Sequence, residues 1–372
     1  MRILYGAMKY DYGDPKRGYS FEHCNFFEFF ERSGHEVLHF DFMDLMRTYG
    51  KEKMNRRLLD TAKAERPDLM FTVLFTDELD PEIIRQISDL PDVTTVNWFC
   101  DDHWRFDNYS RFWTPHFDWA VTTAKSAVPR YADLQLRNVI KSQWGCNHLL
   151  YRKLDLPARY DVTFVGQPHG NRREMVRALK ENGIDVHCFG FGWDGGRISQ
   201  EEMIQVFNQS RINLNFSNAS VKSANGRTGA VAAGLDWVAR TLDHVPFGGA
   251  VKKVGREILN VSERTSSTTT STASGASAPY ADQIKGRNFE VPGCGGFLLT
   301  SSADDLGAYY DLDKEIVCFD GIADLTEKIK YYLAHEDERN AIALRGYERT
   351  LRDHTYERRF ADIFGKIGLL NG

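Results

Sequence analysis

Short apolar runs alternate with amphipathic ones along the first 150 residues, a pattern typical of βαβ units in a parallel sheet. Helices are predicted between the apolar runs, for example over 21–31, where Phe26, Phe27 and Phe30 share one face. We therefore expect a first Rossmann-like domain over residues 1–150. The apolar runs predict its strands at 2–5, 36–40, 69–75, 93–99, 119–123 and 139–142.

A second series of the same kind follows a polar, proline-containing connection at 147–159. Two such units would place a ligand cleft between them, because open parallel sheets bind ligands at the carboxyl ends of their strands. The predicted fold class is α/β, with two Rossmann-like domains facing across a cleft and the second domain over 151–354. Its first elements are strands at 161–166, 185–189 and 211–216 and helices at 172–182 and 200–209.

The stretch from about Ser223 to Pro279 breaks this pattern. Residues 265–278 are only Thr, Ser, Gly and Ala. Such a segment buries too little apolar surface to offset the entropy of ordering, so we expect a flexible insertion near 260–280. Whether this insertion is a lid over the cleft or a passive insertion stays open.

Charged residues and a glycine turn come together directly after this segment. Asp282, Lys285, Arg287 and Glu290 occur within nine residues, and Gly-Cys-Gly-Gly and an apolar strand follow. The group suits an anion with a neighbouring polyol, since lysine and arginine form charge-assisted hydrogen bonds with phosphate. A solvated surface helix is the alternative interpretation. The proline and three glycines that follow argue against it, because they require a special backbone path.

This stretch resembles the nucleotide-sugar site of group-1 glycosyltransferases, which share the two-domain GT-B fold. Many of them carry two acids eight positions apart, and Asp282 and Glu290 have this spacing, with Asp in place of the usual first Glu. From Lys285 to Leu299 the chain reads Lys-x-Arg-x-Phe-Glu-x-x-x-Cys-Gly-Gly-Phe-Leu-Leu. This pattern is similar to the CgeB-like, spore-maturation branch of the family.

The resemblance implies a role for each of these residues. Lys285 and Arg287 would neutralise the diphosphate of the donor, Glu290 would hold its ribose, and Asp282 would contact the donor sugar at the reacting centre. It also implies a helix that begins at Gln283 and points its N-terminus at the anion. Retention of the anomeric configuration, catalysis without a metal, and a terminal helix within 355–372 that returns to the first domain are further implications.

Two acids and a histidine follow the fourth predicted strand. Asp101, Asp102 and His103 lie at its carboxyl end and so point into the expected cleft. These side chains are candidates to orient an acceptor hydroxyl or to act as its base. A cap for the following turn is the alternative, but position and resemblance together favour the functional interpretation. The adjacent acids lack the gap of an Asp-x-Asp metal site, so we predict no metal.

Three further loops face the cleft in this topology. Gly166 opens a loop that can approach a phosphate closely, and Arg172 at the start of the next helix is unfavourable there unless an anion lies nearby. Ser217 and Asn218 follow the strand at 211–216, and Gly18 lies in the first βα loop. We predict that Gly166, Ser217, Asn218 and Gly18 contact the donor, although an ordinary βα loop is an equal alternative for Gly18.

The composition of the chain argues against several other classes of protein. Lys plus Arg is 47 and Asp plus Glu is 52, a net charge of −5, which argues against a nucleic-acid binder. The six cysteines form no C-x-x-C pair, so neither a zinc site nor a disulfide framework is indicated. With no signal-peptide pattern before the first strand and no apolar run of membrane-spanning length, we expect a cytoplasmic protein without a transmembrane segment.

The sequence thus predicts a glycosyltransferase that moves a sugar from a nucleoside-diphosphate sugar to an acceptor. The donor, of the UDP or GDP type, is a substrate, and no cofactor is expected. The acceptor is a saccharide, a lipid-linked molecule or a protein. Two alternatives stay open: an epimerase or hydrolase of nucleotide sugars on the same fold, and a non-catalytic nucleotide-sugar-binding protein.

Overall fold

A computed structural model describes residues 1–217 and 282–369 of the chain. These residues form two sheets in which every strand pair is parallel. The first sheet contains β1 (Arg2–Gly6), β2 (Glu36–Phe40), β3 (Leu69–Thr72), β4 (Thr94–Phe99), β5 (Trp119–Thr122) and β6 (Val139–Lys141). The second contains β7 (Tyr160–Val165), β8 (His187–Phe189), β9 (Ser210–Asn215), β10 (Leu298–Ser301) and β11 (Val317–Phe319).

Helices flank both sheets. Those that the structure describes in the first half are α1 (Glu28–Arg32), α2 (Phe42–Tyr49), α3 (Lys51–Glu65), α4 (Pro81–Ser88), α5 (Asp102–Arg105), α6 (Arg111–Trp113) and α7 (Ala127–Asp133). The others are α8 (Arg172–Glu181), α9 (Gln200–Gln209), α10 (Arg287–Gly293), α11 (Gly321–Ala334), α12 (Glu336–Asp353) and α13 (Tyr356–Lys366). Two π-helical turns, His23–Phe27 and Phe106–Ser110, precede α1 and α6, and short 3-10 turns occupy Asp11–Gly13, Pro15–Arg17, Thr114–His116 and Leu306–Ala308.

The predicted fold class is confirmed: the chain has the two facing Rossmann-like sheets of the GT-B architecture. The predicted insertion near 260–280 lies outside the described residues. Among the described helices, none combines the length and apolar character needed to cross a membrane.

The segment around Lys285 differs from the prediction. A helix beginning at Gln283 was expected, but α10 begins only at Arg287. The Gln283 N–H instead donates to the carbonyl of Ser217 at 3.1 Å, and the Lys285 N–H donates to Asn288 Oδ1 at 2.9 Å. These bonds hold 282–285 in a non-helical path next to Ser217, so the N-terminal helical turn predicted to face the anion does not form there.

Strand order places a switch point in each sheet. The orders are β2-β1-β3-β4-β5-β6 and β11-β10-β9-β7-β8, so the chain changes direction between β1 and β3 and between β7 and β9. Loops at such points diverge to opposite faces of the sheet and leave a crevice at the carboxyl ends of the strands. The loops after β1, β7 and β9 are therefore the ones that build a ligand site.

The last helix, α13, packs against the first half of the chain. Its Phe360 is 1% exposed, and its ring centroid lies 4.5 Å from that of Phe30 and 5.6 Å from that of Phe26. The backbone enters α13 beside Cys146, whose N–H donates to the carbonyl of His354 at 2.8 Å. The aromatic contacts bind the end of the chain to the helix that follows β1.

Replacing Phe360 with alanine tests this packing. Phe360→Ala removes a buried ring that contacts several aromatic neighbours, so we expect it to lower the free energy of unfolding by about 3–5 kcal/mol. Leu344→Ala is the control, because Leu344 on α12 is 48% exposed and should change stability by only about 0.5 kcal/mol. Urea unfolding followed by circular dichroism measures both, and equal midpoints would contradict the packing described.

Candidate functional site

The carboxyl ends of β7 and β9 form the floor of the candidate site. Gly166 follows β7, and its carbonyl accepts a hydrogen bond from Trp193 Nε1 at 2.8 Å. Ser217 follows β9 and is fully buried, with its hydroxyl donating to the carbonyl of Ser301 at 2.9 Å. Ser217 therefore joins the ends of β9 and β10, while Gly166 fixes the loop that follows β7.

Three cationic side chains converge above this floor. Arg287 Nε donates to the carbonyl of Val165 at 3.3 Å, and the Arg172 guanidinium donates to the carbonyl of Phe216 at 2.9 Å. Burial, and then the charge of Arg287, lower the pKa of Arg172 to about 10. Burial lowers the pKa of Lys285 to about 8, with Arg172 adding to the effect and Asp101 opposing it. Lys285, Arg172 and Arg287 thus form a partly desolvated cation cluster at the switch point between β7 and β9.

Glu290 lies behind the cation cluster. It has 0% exposure, and one carboxylate oxygen, Oε2, pairs with Arg287. The other oxygen, Oε1, accepts from the Tyr151 hydroxyl at 2.6 Å and from Asn25 Nδ2 at 3.2 Å. Burial acts to lower the pKa of Arg287, but Glu290 outweighs it, so the pKa is raised and the guanidinium stays charged. The carboxylate therefore fixes the position of Arg287 within the cation cluster.

Asp282 and Asp101 lie on the two sides of the cleft. Asp282 is exposed and is the first residue after the undescribed segment. Asp101 lies after β4, where Oδ1 accepts from Gln283 Nε2 at 3.2 Å. This bond brings the acceptor-side loop predicted from the sequence into contact with the segment that carries Lys285.

His103 lies close to the same contact and is 9% exposed. Its Nδ1 is buried and has no hydrogen-bond partner among the described residues. Burial lowers the pKa of His103 to about 4; Asp101 opposes this shift and Lys285 adds to it. The imidazole is therefore neutral at pH 7, and one of its two ring nitrogens is an acceptor.

Asp102 has different surroundings from its two neighbours. It is 1% exposed, and its carboxylate accepts from the hydroxyls of Ser110 and, at 2.8 Å, Tyr131. Burial raises the pKa of Asp102. Its described partners all belong to the first half, where they tie α5 to the next π-helical turn and to α7.

Gly18 lies in the loop that follows β1, directly after the short 3-10 turn Pro15–Arg17. Its φ of 73° is in the region that favours glycine, and an added Cβ would lie 3.2 Å from Arg197 Nε. Arg197 belongs to the second half, and its guanidinium binds Asp11 at 3.0 Å and the carbonyl of Tyr19 at 2.8 Å. Gly18 is thus part of a loop that contacts both halves.

One predicted site residue, Asn218, lies outside the described residues. Two further residues, Asn25 and Tyr151, bind Glu290 from 265 and 139 positions away and were not predicted from the sequence. No local pattern signals such pairs, because neither residue lies in a motif. Within the part of the chain that the structure describes, no group of three His, Cys, Asp or Glu side chains is arranged to hold a metal ion.

The two Rossmann-like sheets and the cationic switch point place the chain in the GT-B class. A family model described as glycosyl transferase-like matches residues 171–241 and 233–365, just over half of the chain. The chain belongs to this family, as the sequence motifs predicted.

The chain also resembles a curated protein, the spore protein CgeB of Bacillus subtilis. The two are 22% identical over 246 residues, which are 64% of this chain and 65% of CgeB. The match thus spans a little less than two thirds of that relative.

Solved structures share the fold over nearly the whole chain. HepE of Anabaena in complex with UDP-glucose has a TM-score of 0.58 at 11% identity, covering 100% of both chains. A glycosyltransferase of Rickettsia africae has a TM-score of 0.55 at 9% identity, covering 100% of this chain and 99% of its own. Sucrose-phosphate synthase of Thermosynechococcus elongatus scores 0.54 at 10% identity, covering 98% of each chain. Because these sequence identities are so low, the similarity to the solved structures shows the fold alone.

The buried pair of Arg287 and Glu290 gives a testable stability prediction. Glu290→Ala leaves the Arg287 guanidinium without its buried counter-ion, so we expect a loss of about 3–5 kcal/mol in the free energy of unfolding. Glu52→Ala is the matched control, because it breaks a pair with Arg56 whose side chains are 88% and 72% exposed. That change should cost less than about 1 kcal/mol. Chemical unfolding at pH 7 compares the two, and similar losses would contradict the buried pairing.

Proposed function

We propose that this protein transfers a sugar from a nucleoside-diphosphate sugar to an acceptor. The observation that carries the proposal is the cluster of Lys285, Arg172 and Arg287 at the carboxyl ends of β7 and β9. Membership of the glycosyl transferase-like family supports the reaction class. The complexes of the structurally similar HepE with UDP and with UDP-glucose support the donor class.

Electrostatics explains why this cluster suits a diphosphate. Bringing three cations together in a partly desolvated place is unfavourable, and the lowered pKa values of Lys285 and Arg172 reflect this cost. A diphosphate adds negative charge at the same point and forms charge-assisted hydrogen bonds. As the bond between the sugar and the diphosphate breaks, charge grows on the leaving oxygen, and fixed cations stabilise it.

The surroundings of Glu290 lead us to a modified role for this residue. The sequence resemblance assigned it to the ribose, but its carboxylate is buried and already engaged by three side chains. We propose that Glu290 acts on the donor through Arg287, by fixing the direction of the guanidinium. The exposed Asp282 at the cleft edge stays our candidate for contact with the donor sugar.

Asp101 and His103 are our candidates for the acceptor side. Asp101 contacts the donor-side segment through Gln283, and the neutral His103 has an unpaired ring nitrogen. A hydroxyl of a saccharide, lipid-linked or protein acceptor can donate to either group. We leave Asp102 out of the reacting groups, because Ser110 and Tyr131 bind its carboxylate. Retention of configuration and catalysis without a metal remain part of the proposal.

Binding and product analysis test the proposed function together. Calorimetry with UDP, GDP, dTDP, ADP and CMP, followed by the sugar conjugates of the nucleotide that binds, should identify one donor series. Incubation of that donor with candidate acceptors should release the nucleoside diphosphate and form a glycoside, with or without EDTA. Release without any acceptor would indicate a hydrolase, and an altered donor sugar an epimerase. Binding with no turnover on any acceptor would indicate a binding protein.

The protonation of Lys285 predicts the pH dependence of binding. Lys285 is charged below its pKa of about 8 and neutral above it, so attraction for the diphosphate falls as the pH rises. The dissociation constant should increase by about tenfold between pH 7 and pH 9, because one proton is lost over that range. Lys285→Ala should bind weakly at both values.

Lys285→Arg is the matched control, because its guanidinium stays charged across this range. Its dissociation constant should be almost independent of pH. A wild-type protein whose affinity does not change between pH 7 and pH 9, or a Lys285→Ala variant of unchanged affinity, would remove Lys285 from the site.

A further inference from the structure

A π-helical turn at His23–Phe27 carries an asparagine that binds across the two halves of the protein. The wider turn of a π-helix is rare and often occurs at functional sites. Here it follows the loop after β1, the loop at the switch point of the first sheet. Asn25 is 1% exposed, and one of its amide hydrogens bonds to the carbonyl of Phe21 at 3.2 Å.

Phe21, two residues before this turn, packs on Gly286, the residue directly before α10. At Gly286 an added Cβ would lie 2.5 Å from Cε2 of Phe21, so the Phe21 ring occupies the place of a side chain there. From the connection between the halves, Asn147 Nδ2 donates to the carbonyl of Cys24 at 2.9 Å. The backbone of this turn is thus held against both the connection and the segment that contains Lys285 and Arg287.

Asn25 reaches the buried carboxylate behind the cations. Its Nδ2 donates to Glu290 Oε1 at 3.2 Å, and the Tyr151 hydroxyl donates to the same oxygen at 2.6 Å. An ionised carboxylate only accepts hydrogen bonds, which requires the amide nitrogen of Asn25 to face it. Glu290 then presents its other oxygen to Arg287. The first half therefore contributes one of the bonds that determine how the carboxylate is turned.

We propose that Asn25 is a positioning residue for the donor site, which acts through Glu290 to hold the Arg287 guanidinium in the direction that binds the diphosphate. This inference rests on the donor role proposed above for Arg287. It means that the diphosphate site of the second half is complete only when the first half is docked against it. Residues that hold the partners of a ligand-binding group commonly affect affinity strongly without touching the ligand.

Most of the titratable groups around Asn25 and Glu290 are neutral near pH 7. Burial raises the pKa of Tyr151 and Tyr356 far above neutral, and it raises the pKa of Cys24 to about 12. Burial likewise raises the pKa of the Cys146 and Cys294 thiols. On the same turn, burial lowers the pKa of His23 to about 4, and on the preceding residue it raises that of Glu22 to about 7. Arg287 carries the remaining charge beside Glu290.

The first test compares Asn25→Ala with wild-type protein by calorimetry with UDP, GDP, dTDP, ADP and CMP. We expect the dissociation constant of the nucleotide that binds to rise about three- to tenfold, because the carboxylate loses one of its hydrogen bonds. Asn55→Ala is the matched control. Asn55 is also buried in the first half, where its amide nitrogen donates to the carbonyls of Lys51 and Glu78 at 2.9 and 3.0 Å. The control should destabilise the protein but leave the affinity within about twofold of wild type.

The second test is the isosteric Asn25→Asp, which also decides the matter if the alanine variant does not fold. Near pH 8 the new carboxylate faces that of Glu290 and should weaken binding by tenfold or more relative to wild type. Near pH 5.5 the buried acid should be protonated, since burial and the Glu290 charge both raise its pKa, and its hydroxyl then replaces the amide donor. At this lower pH the dissociation constant of Asn25→Asp should be only about threefold that of wild type.

The outcomes separate this inference from the proposed function. Nucleotide binding by wild type together with unchanged affinity in Asn25→Ala, or a pH-independent ratio in Asn25→Asp, overturns the positioning role alone. If wild-type protein binds none of UDP, GDP, dTDP, ADP and CMP, the donor role of Arg287 and the inference that rests on it are both overturned. Equal weakening in Asn25→Ala and Asn55→Ala would mean that general destabilisation, and no specific contact, changes the affinity.

Discussion

The buried carboxylate of Glu290 is the interaction on which the candidate site depends. Side chains from three parts of the chain bind it: Asn25 after the first strand, Tyr151 in the connection between the halves, and Arg287 one helical turn away. Burying a charge without partners is very unfavourable, so the three donors must be present together. The carboxylate consequently joins the two halves and fixes the arginine that faces the cleft.

The second sheet turns this local arrangement into a ligand site. Its order places β7 next to β9, and the loops leaving both strands open a crevice. Lys285, Arg172 and Arg287 meet at that crevice, each held by the fold although their charges repel. Through the contact of Asp101 with Gln283, the first half also borders this crevice. An anion bound there would contact the cations of the second half and would lie near the loop of the first half that carries Asp101.

Much of the fold was predictable because parallel strands are buried on both faces and read as continuous apolar runs. The runs at 36–40 and 93–99 therefore predicted nearly the observed strands β2 and β4, and the predicted strand ends placed Gly166 and Ser217 at the crevice. The helix start predicted at Gln283 was wrong, because bonds to Ser217 and Asn288 hold residues 282–285 in a non-helical path. The partners of Glu290 and Asp102 were not predictable, since they come from distant segments that share no motif with them.

The most direct measurement is a crystal structure of the protein with the nucleoside diphosphate that it binds. The account predicts the diphosphate at the carboxyl ends of β7 and β9, with its oxygens within hydrogen-bond distance of Lys285 and Arg287. It also predicts that Glu290 stays bound to Tyr151 and Asn25 behind the arginine. A diphosphate bound away from these two cations, or a Glu290 carboxylate that leaves Arg287 to contact the ligand itself, would contradict it.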